Sequence, residues 1–279
     1  MPIEPAHNLS PEVVTNELIH RCISATNKVW NRTYYEGLII KPEMEIVVTP
    51  ALPDKYLNSA QAVSTPDLTL VEKSLEEVGI TVPAIFIDPL TPMELLSQME
   101  QGEYTIEHDE IEVWRLFDLR NDVPNPDTVL KIPEETIALE RWKVEEASPD
   151  ILDAFLGLDR QTNEINDETL SQIRKNLMEK KNGDVDLYIF LSKIDGDYRG
   201  CLCLGIADNI GILSEAGVLP EYRGKSIFPW MRLKASEFTK SKGGEWMASS
   251  VLSWNLASHR GSDKSGFIRG FERHLYIKK

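Results

Sequence analysis

The spacing of apolar residues predicts helices interleaved with strands in residues 1–135. Leu68, Val71, Leu75 and Val78 lie three and four positions apart, which is the period of one helix face. A helix start is also predicted at Ser10, where a capping side chain precedes proline, and this helix is expected to end near residue 26. The other predicted elements of this half are strands at 34–40, 45–49, 84–87 and 110–119 and a helix at 91–102.

Residues 136–279 show a clearer pattern, with the predicted order β-α-α-β-β-β-α-β-α-β. Strands are predicted at 137–144, 187–194, 199–207, 210–219, 246–252 and 270–277, and helices at 149–158, from 166, at 227–242 and from 255 to about 266. Hairpins joined to a single crossover helix predict a mixed, mostly antiparallel sheet flanked by helices, an α+β fold. The proline-containing segment 121–133 is predicted to link two domains, 1–135 and 136–279.

Charge divides the chain in the same way. The 279 residues carry a formal net charge of −15. Residues 1–135 hold 24 acidic and 9 basic side chains, whereas residues 210–279 hold 12 basic and 6 acidic ones. The overall excess disfavours general nucleic-acid binding, because phosphates are repelled at long range. The basic final quarter still permits one phosphorylated ligand, and the acidic half either attracts a cationic substrate or serves solubility.

Several classes of protein are excluded by what the sequence lacks. Cys22, Cys201 and Cys203 are too few for a disulfide framework and are expected to be buried apolar side chains. The histidines are scattered, so no metal site is predicted. The N-terminus has neither a basic nor an apolar segment of a signal peptide, and no apolar run approaches membrane-spanning length. We therefore expect a cytoplasmic protein without membrane or nucleic-acid partners; the oligomeric state is left open.

The segment 215–228 is the most informative stretch of the chain. A strand ends near Pro220, a basic turn containing Gly224 follows, and a helix begins directly after it. Backbone N–H groups at a helix N-terminus form an anion site, and glycine lets the backbone approach a phosphate closely. Arg223 and Lys225 add positive charge, and Ser226 keeps the turn small. From spacing alone, a capped turn before a helix with two solvated bases is an equally good interpretation.

This segment resembles the acyl-CoA pyrophosphate loop of the GNAT superfamily of N-acetyltransferases. The family pattern Gln/Arg-x-x-Gly-x-Gly/Ala is matched in part by Glu221-Tyr222-Arg223-Gly224-Lys225-Ser226. The glycine at its centre is present. Glu221 replaces the first Gln/Arg, Ser226 replaces the last small residue, and Phe228 lies where another glycine is frequent in the family.

A second block strengthens the resemblance. Asn255-Leu256-Ala257-Ser258, followed by Lys264-Ser265-Gly266-Phe267, is similar to the last conserved motif of the family. The 31 residues between Gly224 and Asn255 contain one predicted helix and one predicted strand, as in the family. The resemblance implies a GNAT fold for residues 136–279, and the strand-helix alternation of residues 1–135 is similar to the degenerate N-terminal half of tandem GNAT proteins.

The resemblance also implies a cofactor and a mechanism. Acetyl-CoA would lie between the strands that end at Leu219 and Leu252, which would splay apart. Its pantetheine would pair with the backbone of Gly217, Val218 and Leu219. The implied pyrophosphate and pantetheine contacts are Arg223, Gly224, Lys225, Ser226, Ile227, Phe228, Asn255 and Ser258. An amine, from a small molecule or a peptide, would attack the thioester directly.

The acid–base residues are less well defined than the cofactor loop. Glu215 is the candidate proton acceptor, because family members often carry an acid near this strand opening; an ordinary carboxylate at a strand edge is the alternative. Many relatives carry a tyrosine as general acid where this chain has Ser262, a poor acid for a thiolate. His259 would titrate near neutrality or lie in solvent. The sequence thus leaves two functions open: an N-acetyltransferase, or an inactive acyl-CoA-binding or regulatory protein.

Overall fold

The strands of the chain join into a single mixed sheet. The computed structural model describes residues 14–130, 137–179 and 184–279. Within these ranges the order across the sheet is β1-β2-β3-β4-β12-β6-β11-β10-β9-β8-β7, and β5 pairs with β12. The strands are β1 (Gly37–Lys41), β2 (Met44–Val48), β3 (Ser59–Gln61), β4 (Ala84–Ile87), β5 (Tyr104–Ile106), β6 (Glu112–Asp118), β7 (Ile137–Lys143), β8 (Asp186–Ile194), β9 (Asp197–Ala207), β10 (Ile210–Val218), β11 (Trp246–Leu252) and β12 (Ile268–Lys278).

Helices cover the two faces of this sheet. They are α1 (Asn16–Thr33), α2 (Leu68–Glu76), α3 (Met93–Gln101), α4 (Pro126–Leu130), α5 (Pro149–Asn163), α6 (Asp167–Glu179), α7 (Ile227–Ser241) and α8 (Leu256–Lys264). Only β3–β4 and β10–β11 pair in parallel among the described strands. The architecture is therefore α+β with a mostly antiparallel sheet, as the sequence predicts. None of the described helices is long and apolar enough to cross a membrane.

The sheet around β10 separates two apolar clusters. Helices α1, α5 and α6 pack on one side, which we call the α1 face, and α7 packs on the other, the α7 face. Ile212 belongs to the α1-face cluster and its neighbour Leu213 to the α7-face cluster, as expected from the alternation of side chains along a strand. Cys22, Cys201 and Cys203 are buried free thiols.

The two halves of the chain share this sheet. Strand β6 lies between β11 and β12 and pairs with β11 along its whole length. Arg273 on β12 and Glu112 on β6 form a buried ion pair of 2.7 Å. The predicted boundary at Glu135 falls within residues 131–136, outside the described residues, so the division into domains 1–135 and 136–279 stays a prediction.

Helix α1 differs from its predicted limits. Ser10 lies outside the described residues; α1 begins after Thr15, whose hydroxyl oxygen accepts a hydrogen bond from the N–H of Leu18 at 3.2 Å. The predicted end near residue 26 is wrong, because the helix continues to Thr33. Asn27 is a polar residue of a kind common at helix ends, yet here it is buried and donates to Glu45 at 2.7 Å.

Helix α5 also extends beyond its predicted end. The prediction stops at Leu158, because the next five residues, 159–163, are polar. In the structure these residues remain helical. Asp159 in this last turn is fully buried, and the turn faces the opening beside β10 described below. The elements β3, β5 and α4 were not predicted, since three to five residues show no measurable periodicity.

Candidate active site

Strands β10 and β11 pair only at their first residues and then separate. The parallel register joins Ile210 to Trp246, and it ends where Ile212 meets Ala248. Beyond this point β10 stays paired with β9, with a shift in register between Leu213 and Ala216. The later residues of β10 and β11 therefore face an opening in the sheet, as the resemblance to GNAT proteins implies.

The opening leads into a cavity of about 620 Å³, which we call the outer cavity. It lies between the end of β10, the loop before α7 and helix α8. Nine of the residues predicted to bind the cofactor line it: Gly217, Val218, Arg223, Gly224, Ser226, Ile227, Phe228, Asn255 and Ser258. Leu219 is buried in the α1-face cluster and Lys225 lies beside the cavity residue Tyr222, so neither lines the cavity.

The loop before α7 presents unpaired backbone donors. Gly224 has φ of +78° and Ser226 has φ of +63°, so the chain turns twice through the left-handed region before the helix starts. Ser226 is the N-cap residue, and its side chain makes no capping hydrogen bond. Within the described part of the chain, no hydrogen bond uses the N–H groups of residues 224–228. Such donors, together with the positive end of the helix dipole, fit a pyrophosphate.

Basic side chains reach the outer cavity from two directions. Arg223 donates from Nε to the carbonyl oxygen of Val218 at 3.1 Å and from Nη2 to that of Thr162 at 3.2 Å. It therefore ties the loop to β10 and α5. Arg260 and Lys264 line the cavity from α8, four residues apart and hence on one helix face. Arg260 was missed because it lies between the two motif blocks of residues 255–267.

Asn255 fixes the start of α8. Its Oδ1 accepts a hydrogen bond from the N–H of Ser258 at 3.1 Å, which makes it the N-cap of this helix. Both residues line the outer cavity. The predicted Asn block is thus a capping motif that holds α8 against the opening, and we expect its remaining polar atoms to contact the ligand.

A smaller inner cavity of about 140 Å³ adjoins the outer one where the two strands begin to separate. Both cavities are lined by Asn163, Ala216, Phe228 and Ser258. The remaining residues lining the inner cavity are Leu213, Ser214, Glu215, Arg232, Ser249, Ser250 and Val251.

Glu215 is buried at the inner cavity. Tyr34 donates its hydroxyl to Oε2 of Glu215, while Oε1 lacks a hydrogen-bond partner among the described residues. Burial raises the pKa of Glu215 well above its usual range, and the carboxylate of Asp159 raises it further; the hydrogen bond from Tyr34 acts in the opposite direction. A carboxylate with a raised pKa is a stronger base once it has lost its proton.

Asp159 is a second buried carboxyl group beside Glu215. The pKa of Asp159 is raised to about 6, because burial raises it by more than the hydrogen bond that Asn163 Nδ2 donates to Oδ1 at 2.7 Å lowers it. Oδ2 lacks a partner within the described chain. Asp159 is not among the residues predicted from the sequence, although it continues the buried stripe of Leu152 and Phe155 on α5, where an acid is unexpected.

The candidate acids from the sequence lie in different places. Ser262 is fully buried and lines neither cavity; it donates to the carbonyl oxygen of Ser258 at 2.9 Å and accepts from Arg232. The ring nitrogen Nδ1 of His259 lies 2.9 Å from Nη2 of Arg115. Burial lowers the pKa of His259, and Arg115 lowers it further. Tyr222 is the one tyrosine among the described residues that line the outer cavity.

The described residues contain no group of three or more His, Cys, Asp or Glu side chains arranged to hold a metal ion. The candidate chemistry thus consists of backbone donors, buried carboxyl groups and basic side chains around one opening.

Several solved structures with this fold are GNAT-family proteins, and others are conserved proteins of unknown function. A GCN5-related N-acetyltransferase from Kribbella flavida aligns at a TM-score of 0.64 and 11% identity, covering 93% of this chain and 95% of that one. A tandem GNAT protein from the clavulanic acid biosynthesis pathway aligns at 0.64 and 12%, covering 95% and 94%. A GCN5-related N-acetyltransferase from Sphaerobacter thermophilus aligns at 0.60 and 17%, covering 94% and 90%.

These alignments confirm the resemblance at the level of fold, because the chain has the architecture of GNAT proteins, among them one tandem GNAT protein. No family model matches the sequence. No curated protein matches it either. At 11–17% identity, function has to be argued from the residues of this chain.

Proposed function

We propose that this protein transfers an acyl group from acyl-CoA to an amine, with acetyl-CoA, which the resemblance to GNAT proteins implies, as the donor. The observation that carries the proposal is the row of unpaired N–H groups at residues 224–228, placed at the mouth of a strand opening whose inner end holds Glu215. The acceptor that we propose is a small-molecule or peptide amine.

The bound thioester would supply an activated carbonyl carbon. The N–H groups of residues 224–228 would hold the pyrophosphate, and Arg260 and Lys264 would add positive charge beside it. Gly217 lines the outer cavity on β10, where a side chain would collide with Thr162. The missing side chain therefore makes room for Thr162, so that α5 packs close to this part of β10.

Glu215 would remove the proton that the attacking amine must lose. The attack requires a neutral nitrogen, and a base with a raised pKa accepts its proton efficiently near neutral pH. Tyr34 fixes the orientation of the carboxylate through Oε2, which leaves Oε1 to face the amine. Asp159 raises the basicity of Glu215 by its negative charge.

A binding titration followed by a turnover assay tests this proposal. Isothermal titration with acetyl-CoA measures affinity, and a thiol reagent measures CoA release in the presence of a panel of amines. Amine-dependent thiol release is the expected result. If the chain does not bind acetyl-CoA, the proposal is wrong.

A second candidate function is an acyl-CoA-binding protein without turnover. It is favoured by the buried position of Ser262, which removes it from the cavities where a general acid would act. Tight binding of acetyl-CoA without thiol release for any amine would establish this alternative. The division of the chain into a degenerate copy (1–135) and a catalytic copy (136–279) of the fold stays part of the proposal.

A further inference from the structure

Arg232 is a buried cation at the inner cavity that the proposed transfer reaction leaves unexplained. It lies on α7 and is 1% exposed. Nη2 donates to the hydroxyl of Ser249 at 2.7 Å, and Nη1 donates to the hydroxyl of Ser262. The guanidinium carbon lies 4.0 Å from the ring centroid of Phe267. These contacts hold the side chain in a fixed position beside the cavity.

Within the described part of the chain, no carboxylate forms an ion pair with Arg232. The nearby Asp263 pairs with Arg115 at 3.0 Å. Burial, and next the charge of Arg115, lower the pKa of Arg232 to about 9, and Asp263 only partly offsets this. A guanidinium has five N–H donors, and Nε lacks a partner here. A buried charge without a counterion is strongly unfavourable, so this site is suited to an anion.

The inner cavity has the size and lining for a small polar anion. Its volume of about 140 Å³ exceeds what a methyl group fills. It corresponds to roughly four to five water molecules. The hydroxyl-bearing residues Ser214, Ser249, Ser250 and Ser258 line it together with Arg232. Such a wall suits a carboxylate better than the methyl of an acetyl group.

Glu215 does not neutralise Arg232. It is the one acidic side chain among the described residues that line the inner cavity, and no ion pair between described residues joins it to Arg232. Its Oε2 is bonded to Tyr34 on the α1 face, whereas Arg232 belongs to α7 on the opposite face. The two side chains therefore approach the same small space from opposite sides of the sheet.

We propose that the inner cavity binds a carboxylate of one of the two substrates against Arg232. The inference rests on the proposed function, because acyl group and amine must meet beside Glu215. The carboxylate belongs either to the far end of a dicarboxylic acyl group on CoA or to an acceptor that carries both an amine and a carboxylate. Either source places a negative group next to the uncompensated guanidinium.

The donor arm of the test compares acetyl-CoA with succinyl-CoA by titration. The variants are Arg232→Met and a control, Lys240→Met, which removes a solvent-exposed cation from the same helix. If the acyl group supplies the carboxylate, succinyl-CoA binds at least about tenfold tighter than acetyl-CoA, as one charge-assisted hydrogen-bonded pair allows. The preference disappears in Arg232→Met and persists in Lys240→Met.

The acceptor arm compares amino acids with their carboxamides as acceptors in the thiol-release assay. If the acceptor supplies the carboxylate, amino acids have at least about tenfold higher kcat/KM, and only Arg232→Met removes this preference. If the wild-type protein prefers neither succinyl-CoA over acetyl-CoA nor amino acids over their carboxamides, the proposal is wrong. This result does not depend on whether Arg232→Met folds. Titration with free succinate separates the carboxylate-site proposal from the proposed function. If succinate binding depends on Arg232 but CoA does not bind, the proposed acyl transfer is wrong and the carboxylate site stands.

Discussion

Replacing Asp159 by asparagine removes one of the two carboxyl groups buried beside β10. The folded chain holds the pKa of Asp159 at about 6, against 3.8 for an ordinary aspartate, mainly because the side chain is buried. At 1.36 kcal/mol per pKa unit, this difference corresponds to about 3 kcal/mol. That is a large share of the roughly 5–15 kcal/mol by which a domain is stable.

The folded state binds the proton of Asp159 more tightly than the unfolded state does, because the pKa of Asp159 is raised on folding. Protonated Asp159 therefore contributes fully to the stability of the folded chain below pH 3.8, and this contribution is lost as the pH rises through about 6. At pH 8 the wild-type chain carries the full cost of the buried charge. Asp159→Asn should therefore be more stable than wild type by about 3 kcal/mol at pH 8 and nearly equal to it at pH 4.

Urea unfolding at both pH values measures this difference. Asp150→Asn is the matched control, because Asp150 is an exposed residue on the same helix, and it should show no gain that depends on pH. A stability difference that is equal at pH 4 and pH 8, or a variant that is less stable at pH 8, would refute the assignment of Asp159 as a buried, uncompensated carboxyl group. Removing Asp159 also lowers the pKa of Glu215, so the rise of activity with pH should move to lower pH.

Three further substitutions test the site. Gly224→Val should weaken acetyl-CoA binding at least about tenfold, because a branched residue is strained at positive φ and crowds the N–H groups that bind phosphate. The control is Gly243→Val, at φ of +83° beyond the far end of α7, which should leave the affinity for acetyl-CoA unchanged. Glu215→Gln should lower kcat at least about a hundredfold and abolish the rise of kcat with pH while acetyl-CoA still binds; an unaltered profile clears Glu215 of the base role. Tyr34→Phe removes a hydrogen bond that lowers the pKa of Glu215, so the rise of activity should move to higher pH, while Tyr56→Phe, which loses a bond to another glutamate, should not move it.

The parts of the site that could be predicted are those contained in short contiguous segments. The loop around Gly224 and the block beginning at Asn255 each carry their own turn and capping chemistry, so local sequence suffices to recognise them. The strand opening was expected only because the resemblance to GNAT proteins implies it. The same locality explains why most element limits of residues 137–279 agree with the structure.

The acid–base environment could not be predicted, because it is assembled from distant elements. Tyr34 follows the last turn of α1 and reaches Glu215 across 181 positions. Residues 34–36 were expected to begin a strand, but β1 starts at Gly37 and Tyr34 is the C-cap of α1. Asp159 lies in a polar turn that resembles a helix end, and only packing against β10 shows that it is buried.

A structure of the chain bound to CoA would show whether the opening between β10 and β11 is the acyl-CoA site. We expect the pyrophosphate to accept hydrogen bonds from the N–H groups of residues 224–228 and the thiol to lie between β10 and β11, next to the inner cavity. CoA bound at another surface, with this loop and opening free of ligand, would contradict it.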